Sequence, residues 1–437
     1  MTRKMKDSGI EWIGEIPEDW EIVKVKDAFI RKNDKANTKN PTILTLARNG
    51  IKIRDISNNE GQLAADYSNY NPVDIDDLLL NPMDLISGDN CNISKVKGVI
   101  SPAYINLRYR KGTNPELYNL YFKNLYWGNV LFAHGKGVSY ENRWTLSYET
   151  LNQMKIPYPP SYEQDKIAEF LVDKLNKLED IKSTIMKEIQ TLKDYKKSII
   201  TEAVTKGLDK NVEMKDSGIE WIGEIPKHWE IGKTLFYLKM PITDGPHTTP
   251  TLYDEGVPFV SAEAVASGKG KIDFNKIRGF VSEEFYLECC KKYIPEIDDV
   301  YMIKSGATTG LTAIVDTNTK FTIWSPLAVF RADISKVNPK FLFYVLQSKY
   351  YLTQVELYWN YGTQQNIGMR TLEKLKICAP PMYEQEKIVR SLDKEIKSID
   401  EAIEGKQKQL EVLEEYMKSL IYEYVTGKKE VKDGEES

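Results

Sequence analysis

Histidine and cysteine are scarce in this chain of 437 residues, which has three of the first and four of the second. Cys91, Cys289, Cys290 and Cys378 form no Cys-x-x-Cys pair. That disfavours a structural zinc site or a disulfide framework and fits a reducing, cytoplasmic setting. His134, His228 and His247 are scattered, and no nucleophile elbow accompanies them, so Ser-His-Asp or Cys-His hydrolysis has little support. No Walker A loop and no Gly-x-Gly-x-x-Gly after a strand is present, so neither a nucleotide cradle nor a methyl-donor site is evident. Asn71-Pro72 and Asn81-Pro82-Met83 lack the second proline and the aromatic of an adenine methyltransferase loop; turn chemistry explains them. No apolar run is long enough for a membrane span, and MTRKMKDSG lacks the apolar core of a signal peptide. The net charge of −4 leaves no global excess of positive charge, so any contact with nucleic acid must be local.

What the chain does have is a repeat. MKDSGIEWIGEIPEDWEI (5–22) returns as MKDSGIEWIGEIPKHWEI (214–231), changed only at Glu18/Lys227 and Asp19/His228. A period of this length is a duplicated domain, not a solenoid. KIPYPPSYEQDKI (155–167) is answered by KICAPPMYEQEKI (376–388), and the tail EVKDG (430–434) begins the tag again. The tryptophans and isoleucines of the tag are expected to pack on a core.

Between tag and Pro-Pro lie two mixed α/β stretches. In 23–155, PTILTLA (41–47), VISPAYINLRY (99–109) and NQMKIPY (152–158) read as strands, and 114–132 has helical apolar spacing. In 232–375, VPFVSAEA (257–264), DVYMIKSG (299–306), TAIV (312–315) and IWSPLAVFRA (323–332) read as strands, and 339–355 as helix. After each Pro-Pro comes a long helix. Ser161 and Gln164 suggest a capping box at the first, whereas Met382 stands where the second would have its capping serine. Leu171, Leu178, Ile185, Leu192 and Ile199 recur every seven residues, with Lys182 and Lys196 breaking a second line through Leu175 and Ile189. The second seam runs Leu392, Ile396, Ile399, Ile403, Leu410, Leu413, Met417, Leu420, broken at Lys406. Heptads of this extent predict a coiled coil.

The expected class is α+β. Two mixed α/β domains are joined by two long helices that pair as an antiparallel coiled coil, in an internal, cyclic pseudo-twofold repeat. The expected divisions are 1–160, 161–207, 208–381, 382–427 and a tail at 428–437. Each helix would make a rod of roughly 65 Å at about 1.5 Å per residue, with one domain at each end.

Near-identical frames carry different polar interiors, as expected of modules that share a scaffold and read different targets. Arg and Lys read guanine, Gln and Asn read adenine, and all can hold phosphate. The candidate contacts in the first half are Arg48, Asn49, Lys52, Arg54, Lys136, Asn142 and Arg143. In the second they are His247, Thr248, Thr249, Lys269, Lys271, Arg278, Thr308, Thr309, Thr363, Gln364, Gln365 and Arg370. SGATTG (305–310), which holds two of them, also reads as a strand-to-strand turn.

The SGIEWIGEIPxxW tag at both domain entrances, Pro-Pro-x-x-Glu-Gln before both helices, and GTQQNIGMRTLEKLKI (362–377) together resemble the specificity subunit of Type I restriction–modification systems. The resemblance covers nearly the whole chain. AHGKGVSYENRWTLSYETLNQMKI (133–156) departs from the last motif by lacking Thr-Gln-Gln-Asn, which suggests two recognition subclasses. The resemblance implies two target recognition domains, each reading one half of a split site in double-stranded DNA. It implies helices that bind two modification subunits, which methylate adenine, and restriction subunits recruited through the complex. No cofactor is expected in this chain; S-adenosylmethionine, ATP and Mg belong on the partners. No catalytic residue or membrane role transfers. The rival readings are a coiled-coil interaction scaffold without DNA specificity and a free-standing hydrolase.

Overall fold

Both copies of the tag fold into the same device. Met5–Asp7 pairs antiparallel with Glu15–Pro17, and Met214–Asp216 pairs with Glu224–Pro226. Each copy ends in a fully buried tryptophan, Trp20 or Trp229. The computed structural model in which this is seen describes residues 3–37, 41–47, 50–55, 67–85, 90–137, 144–361 and 365–432. Arg48, Asn49, Asn142, Arg143, Thr363 and Gln364 lie outside the described residues.

The Glu-Gln after each Pro-Pro has a physical job. Trp20 Nε1 donates to Glu163 and Trp229 Nε1 to Glu384, both at 2.9 Å. Gln164 Oε1 accepts the backbone N–H of Asn114, and Gln385 Oε1 that of Asn338, both at 2.8 Å. Those asparagines are N-caps, each followed by a proline in the first turn, a favourable helix start. The motif therefore ties tag, long helix and domain helix together. The capping box expected of Ser161 and Gln164 gives way to these contacts, because Gln164 reaches Asn114 and the Pro159 carbonyl instead.

The chain divides into two compact units. The first comprises Met1–Met186 and Lys408–Ser437, the second Lys187–Gln407. In the first, β1 (Phe29–Arg31), β2 (Leu78–Leu80), β3 (Cys91–Ile93) and β4 (Ile105–Tyr109) form an antiparallel sheet in the order β1-β4-β2-β3. Helix α1 (Pro115–Trp127) buries Leu117, Tyr118, Tyr121, Phe122 and Leu125, and the Tyr118 ring meets Phe29 edge-on at 5.5 Å. The long helix α2 spans Ser161–Lys206. In the second unit, β5 (Thr243–Asp244), β6 (Val300–Ile303), β7 (Thr312–Ile314) and β8 (Leu327–Phe330) repeat the order as β5-β8-β6-β7. Helix α3 (Pro339–Gln347) buries Phe341, Leu342, Val345 and Leu346. The second long helix, α4, spans Met382–Val425.

A shared turn enters β2 and β6. Ile-Asp-Asp occurs at 75–77 and 297–299, with Asp76 and Asp298 at φ 68° and 70°. The next aspartate of each is buried and receives an arginine from the neighbouring strand. Arg108 Nε donates to Asp77, and Arg331 Nε to Asp299 at 2.7 Å. Loss of Arg331 would strand the buried charge of Asp299, whereas Asp77 has a second cation in Lys32 at 2.8 Å.

The long helices pair antiparallel within each unit. In the first, the Phe170 and Tyr424 rings lie 4.8 Å apart and Lys182 pairs with Glu414 at 2.8 Å. In the second, Glu188 meets Lys406 at 2.5 Å and Lys196 meets Asp400 at 2.8 Å. The three lysines that interrupt the apolar lines are thus seam residues with acidic partners on the opposite helix. The cyclic arrangement closes in the first unit. Gly427, at φ 73°, packs on Pro17 and Trp20, Lys428 Nζ donates to the Glu15 carbonyl at 2.6 Å, and Val431 is buried. In the second unit Gly207, also at φ 73°, packs on Trp229 in the same way.

Some sequence expectations are redrawn. VISPAYINLRY splits into Gly98–Ile100 and β4 around a turn at Ser101–Tyr104. VPFVSAEA is a strand only to Val260, and Ala262–Ser267 is a helix, because alanines and a glutamate follow Ser261 rather than β-branched residues. The helical stretch 339–355 breaks at Ser348, which caps the helix Lys349–Leu357. Asn71-Pro72 sits in a strand paired with Val99 and Ile100; only Asn81 makes the expected turn, its side chain accepting the Met83 N–H at 3.0 Å.

Candidate nucleic-acid interface

In the second unit, sheet geometry gathers polar loops at the C-terminal end of β6. Lys304 N–H donates to the Pro326 carbonyl at 2.8 Å, and the Lys304 carbonyl accepts Ile367 N–H at 2.9 Å. Ser305 bridges to Asn366. Asp244 lies on the neighbouring register, paired with Ala328, which is itself paired with Met302. The segment Thr243–Thr249, the loop 305–310 and the segment Gln365–Arg370 therefore meet at one end of one sheet. Gly245 is required there, since a Cβ would lie 2.0 Å from the Ile323 carbonyl oxygen.

Each loop presents polar groups outward. His247, Thr248, Thr249, Thr308 and Arg370 are exposed. Gly306 and Gly310, at φ 96° and 94°, shape the turn that holds Thr308 and Thr309. Thr309 Oγ1 donates to the Gly306 carbonyl at 2.7 Å, so its hydroxyl serves the turn. Gln365 is in a backbone ladder with Tyr361. Arg278 joins this end through Trp324, over whose ring its guanidinium stacks at 4.0 Å; Trp324 directly follows the Ile323 that Gly245 touches. An exposed arginine held over an indole ring by a cation–π contact is restrained in position while its donors stay available.

Lys269 and Lys271 do not join this group. Gly270 accepts Ile314 N–H at 2.9 Å, and Ile314 pairs with Val300, at the opposite end of β6. Lys271 is also paired with Asp316 at 2.6 Å.

The first unit has an equivalent loop. Lys136 and Thr145 exchange backbone hydrogen bonds, and Leu146 N–H donates to the Pro82 carbonyl at 2.9 Å, just past β2. Lys136 is exposed beside this point. Lys52 lies on a separate hairpin, Leu44–Ala47 with Gly50–Ile53, opposite Thr45. Arg54 N–H donates to the Ile43 carbonyl at the base of that hairpin.

Three residues at the second site were not among the sequence candidates. Asp244, only 1% exposed, takes Lys292 Nζ at 2.5 Å and lies 3.4 Å from Lys304 Nζ and 3.2 Å from His247 Nε2. The two lysines come from a loop and a strand end with no distinctive spacing, so no local signal marks them. Among the described residues no three His, Cys, Asp or Glu side chains converge as a metal site needs. No helix among them is long and apolar enough to cross a membrane.

Comparison with known proteins gives a consistent picture. Residues 252–412 match the family described as Type I restriction modification DNA specificity domain. The chain is 26% identical to the type I restriction enzyme MjaVIII specificity subunit of Methanocaldococcus jannaschii, over 96% of this chain and 95% of that one. It is 22% identical to the EcoBI specificity subunit of Escherichia coli, over 90% and 82%. Its fold matches a solved chain from a study of complex assembly and conformational transition of the type I R-M system. The TM-score is 0.67 with 15% identity, over 94% of this chain and 98% of that chain.

Proposed function

We propose, from the premise that this chain belongs to the Type I restriction–modification specificity subunits, that each of its two α/β domains reads one half of a bipartite DNA target. It is a non-catalytic recognition subunit. The matched DNA specificity domain sets aside the rival reading of a scaffold without DNA specificity. The observation that carries the proposal is the convergence of polar loops on one end of the β5-β8-β6-β7 sheet, with His247, Thr248, Arg278 and Arg370 exposed there. Loops of this kind can carry base contacts worth about 1–3 kcal/mol of discrimination each. In the first domain the loop through Lys136 holds the equivalent place.

The long helices serve as docking surfaces for two modification subunits, and their length sets the unread spacer between half-sites. Two features support docking. The face carrying Lys166, Glu169, Asp173 and Lys177 lies away from the apolar seam, with Asp173 and Lys177 paired at 2.9 Å. Tyr162 and Tyr383 hold the same place in the two Pro-Pro motifs, and both are largely exposed, at 70% and 59%. S-adenosylmethionine, ATP and Mg would be bound by the modification and restriction subunits of a cytoplasmic complex, where adenine methylation and cleavage take place.

The test is a hybrid in which residues 23–155 are replaced by the matching segment of a relative, followed by long-read mapping of methylated adenines. One half of the motif should change and the other stay. An unchanged motif from a folded, active hybrid overturns the reading.

A further inference from the structure

We propose that Lys292, Lys304 and His247, gathered on the buried carboxylate of Asp244, form a seat for one backbone phosphate of the DNA. The inference rests on the DNA-reading function above and adds a sequence-independent contact to it. Asp244 cannot satisfy what surrounds it. One carboxylate faces two ammonium groups, Lys292 at 2.5 Å and Lys304 at 3.4 Å, with the His247 ring at 3.2 Å. The local sum is at least one positive charge in excess. Lys304 is only 11% exposed, so water screens that excess poorly. Asp244 Oδ2 faces Lys304 Nζ and His247 Nε2 without closing a hydrogen bond to either, so neither is committed to it.

The chemistry of the excess selects its ligand. Ammonium groups are point charges that suit phosphate and carry little base information. His247 and Lys292 are 72% and 51% exposed, so an anion can reach both from solvent. Their position is fixed. Gly245 locks the turn between Asp244 and His247 against Ile323, and the Lys304 backbone is held on both sides by Pro326 and Ile367. Arg278, Thr308 and Arg370 surround the same sheet end, so a phosphate held here would set the register of the bases those loops face.

The experiment uses the full-length chain assembled with its modification subunits. Binding to a duplex carrying its methylated motif, and to one lacking it, is measured between about 50 and 200 mM salt. Losing one phosphate contact removes about 0.9 from the slope of log affinity against log salt, so the salt-driven loss over that range shrinks about 3.5-fold. Lys292→Gln should show that change on both duplexes, leave the methylated motif unaltered and keep the melting temperature. Lys292→Arg should restore the slope. An unchanged slope for Lys292→Gln, or a loss confined to the cognate duplex, overturns the phosphate seat. A wild-type assembly with no preference for the cognate duplex would overturn the DNA-reading function instead, while the slope on either duplex would still decide the seat.

Discussion

Replacing Glu384 by alanine should open the C-terminal tag without unfolding the second unit. The carboxylate accepts Trp229 Nε1 at 2.9 Å and His228 Nε2 at 2.7 Å. Trp229 is fully buried, so its indole N–H has no water to turn to. A hydrogen bond to a charged acceptor is worth about 1.5–3 kcal/mol, and a stranded donor costs about as much as the bond was worth. Allowing for the 21% exposure of Glu384, about 2 kcal/mol is expected. That corresponds to roughly 30-fold faster opening at about 1.4 kcal/mol per tenfold. Hydrogen-exchange mass spectrometry of peptides covering 224–231 and 382–390 reads it locally. Glu384→Gln keeps an oxygen for Trp229 and should lose about half as much. The pH dependence has a definite sign. Burial acts to raise the Glu384 carboxyl, but the hydrogen bonds from Trp229, Tyr383 and His228 outweigh it and hold it below its ordinary value. A depressed carboxyl stabilises the fold above its unfolded pKa, near 4.5, and that contribution is lost as pH falls through the lower folded value. Protection of these peptides should therefore fall below about pH 4.5 in the wild type and be flatter in Glu384→Gln. Exchange in Glu384→Ala within about twofold of wild type at neutral pH, a difference well under 1 kcal/mol, would refute the reasoning.

Two glycine substitutions should act in opposite directions. Gly427→Ala, at φ 73° with its Cβ 2.4 Å from Pro17 Cδ, should destabilise the first unit by more than about 1 kcal/mol in thermal melts. Gly405→Ala, inside α4 with nothing within 4 Å, should stabilise the second by about 0.5–1 kcal/mol; a stabilising Gly427→Ala would contradict the first and a destabilising Gly405→Ala the second. Reversing the charges at Lys196 and Asp400 one at a time should cost stability, and reversing both should recover it, with a coupling of about 0.3–1 kcal/mol in a double-mutant cycle. Additive losses would mean that the pair does not register the seam. Inserting four residues between Ile185 and Ile189 adds about 6 Å to α2, so the methylated motif should gain one or two unread base pairs at about 3.4 Å each. An active variant that keeps its original spacing would count against the helices as a ruler.

The parts of this molecule that were legible in the sequence are those whose physics is periodic or duplicated. The tags, the Pro-Pro motifs and the two long helices show themselves because Trp, Pro and heptad leucines recur at spacings that little else produces. Lys182, Lys196 and Lys406 were legible only as faults. An apolar template counts a lysine as a break, and the acids that accommodate Lys196 and Lys406 lie 204 and 218 residues away in the chain. Strands β6, β7 and β8 were legible as apolar runs, whereas β5 is two residues long, too short for alternation to define. The Asp244 cluster was invisible for a different reason. Lys292 is 48 residues from Asp244, and they meet only because the sheet folds them together. Lys269 and Lys271 looked equivalent to His247 as basic residues in glycine-bearing loops, yet Ile314 holds their loop at the other end of β6.

The two halves show which residues the fold requires. Trp20 and Trp229, Glu163 and Glu384, Gln164 and Gln385, Asp77 and Asp299 hold the same partners in both units. Even the tag's divergence is compensated. Where His228 stands against Glu384, the first unit has Asp19, whose carboxylate has no proton to donate. Arg3 takes that place there, bonding Glu163 at 2.8 Å and Asp19 at 2.9 Å. The glutamate beneath the tryptophan thus keeps a hydrogen-bond donor beside it by a different route. Among the described residues, no side-chain bond of this kind is seen in corresponding places in the loops at the ends of β2 and β6. Lys136 and Arg370 stand in corresponding loops with different neighbours, and Asp244 has its lysines only in the second unit. A frame whose contacts close within each unit lets those loop residues change without loosening it. That physical separation is what allows one scaffold to carry two different loop surfaces.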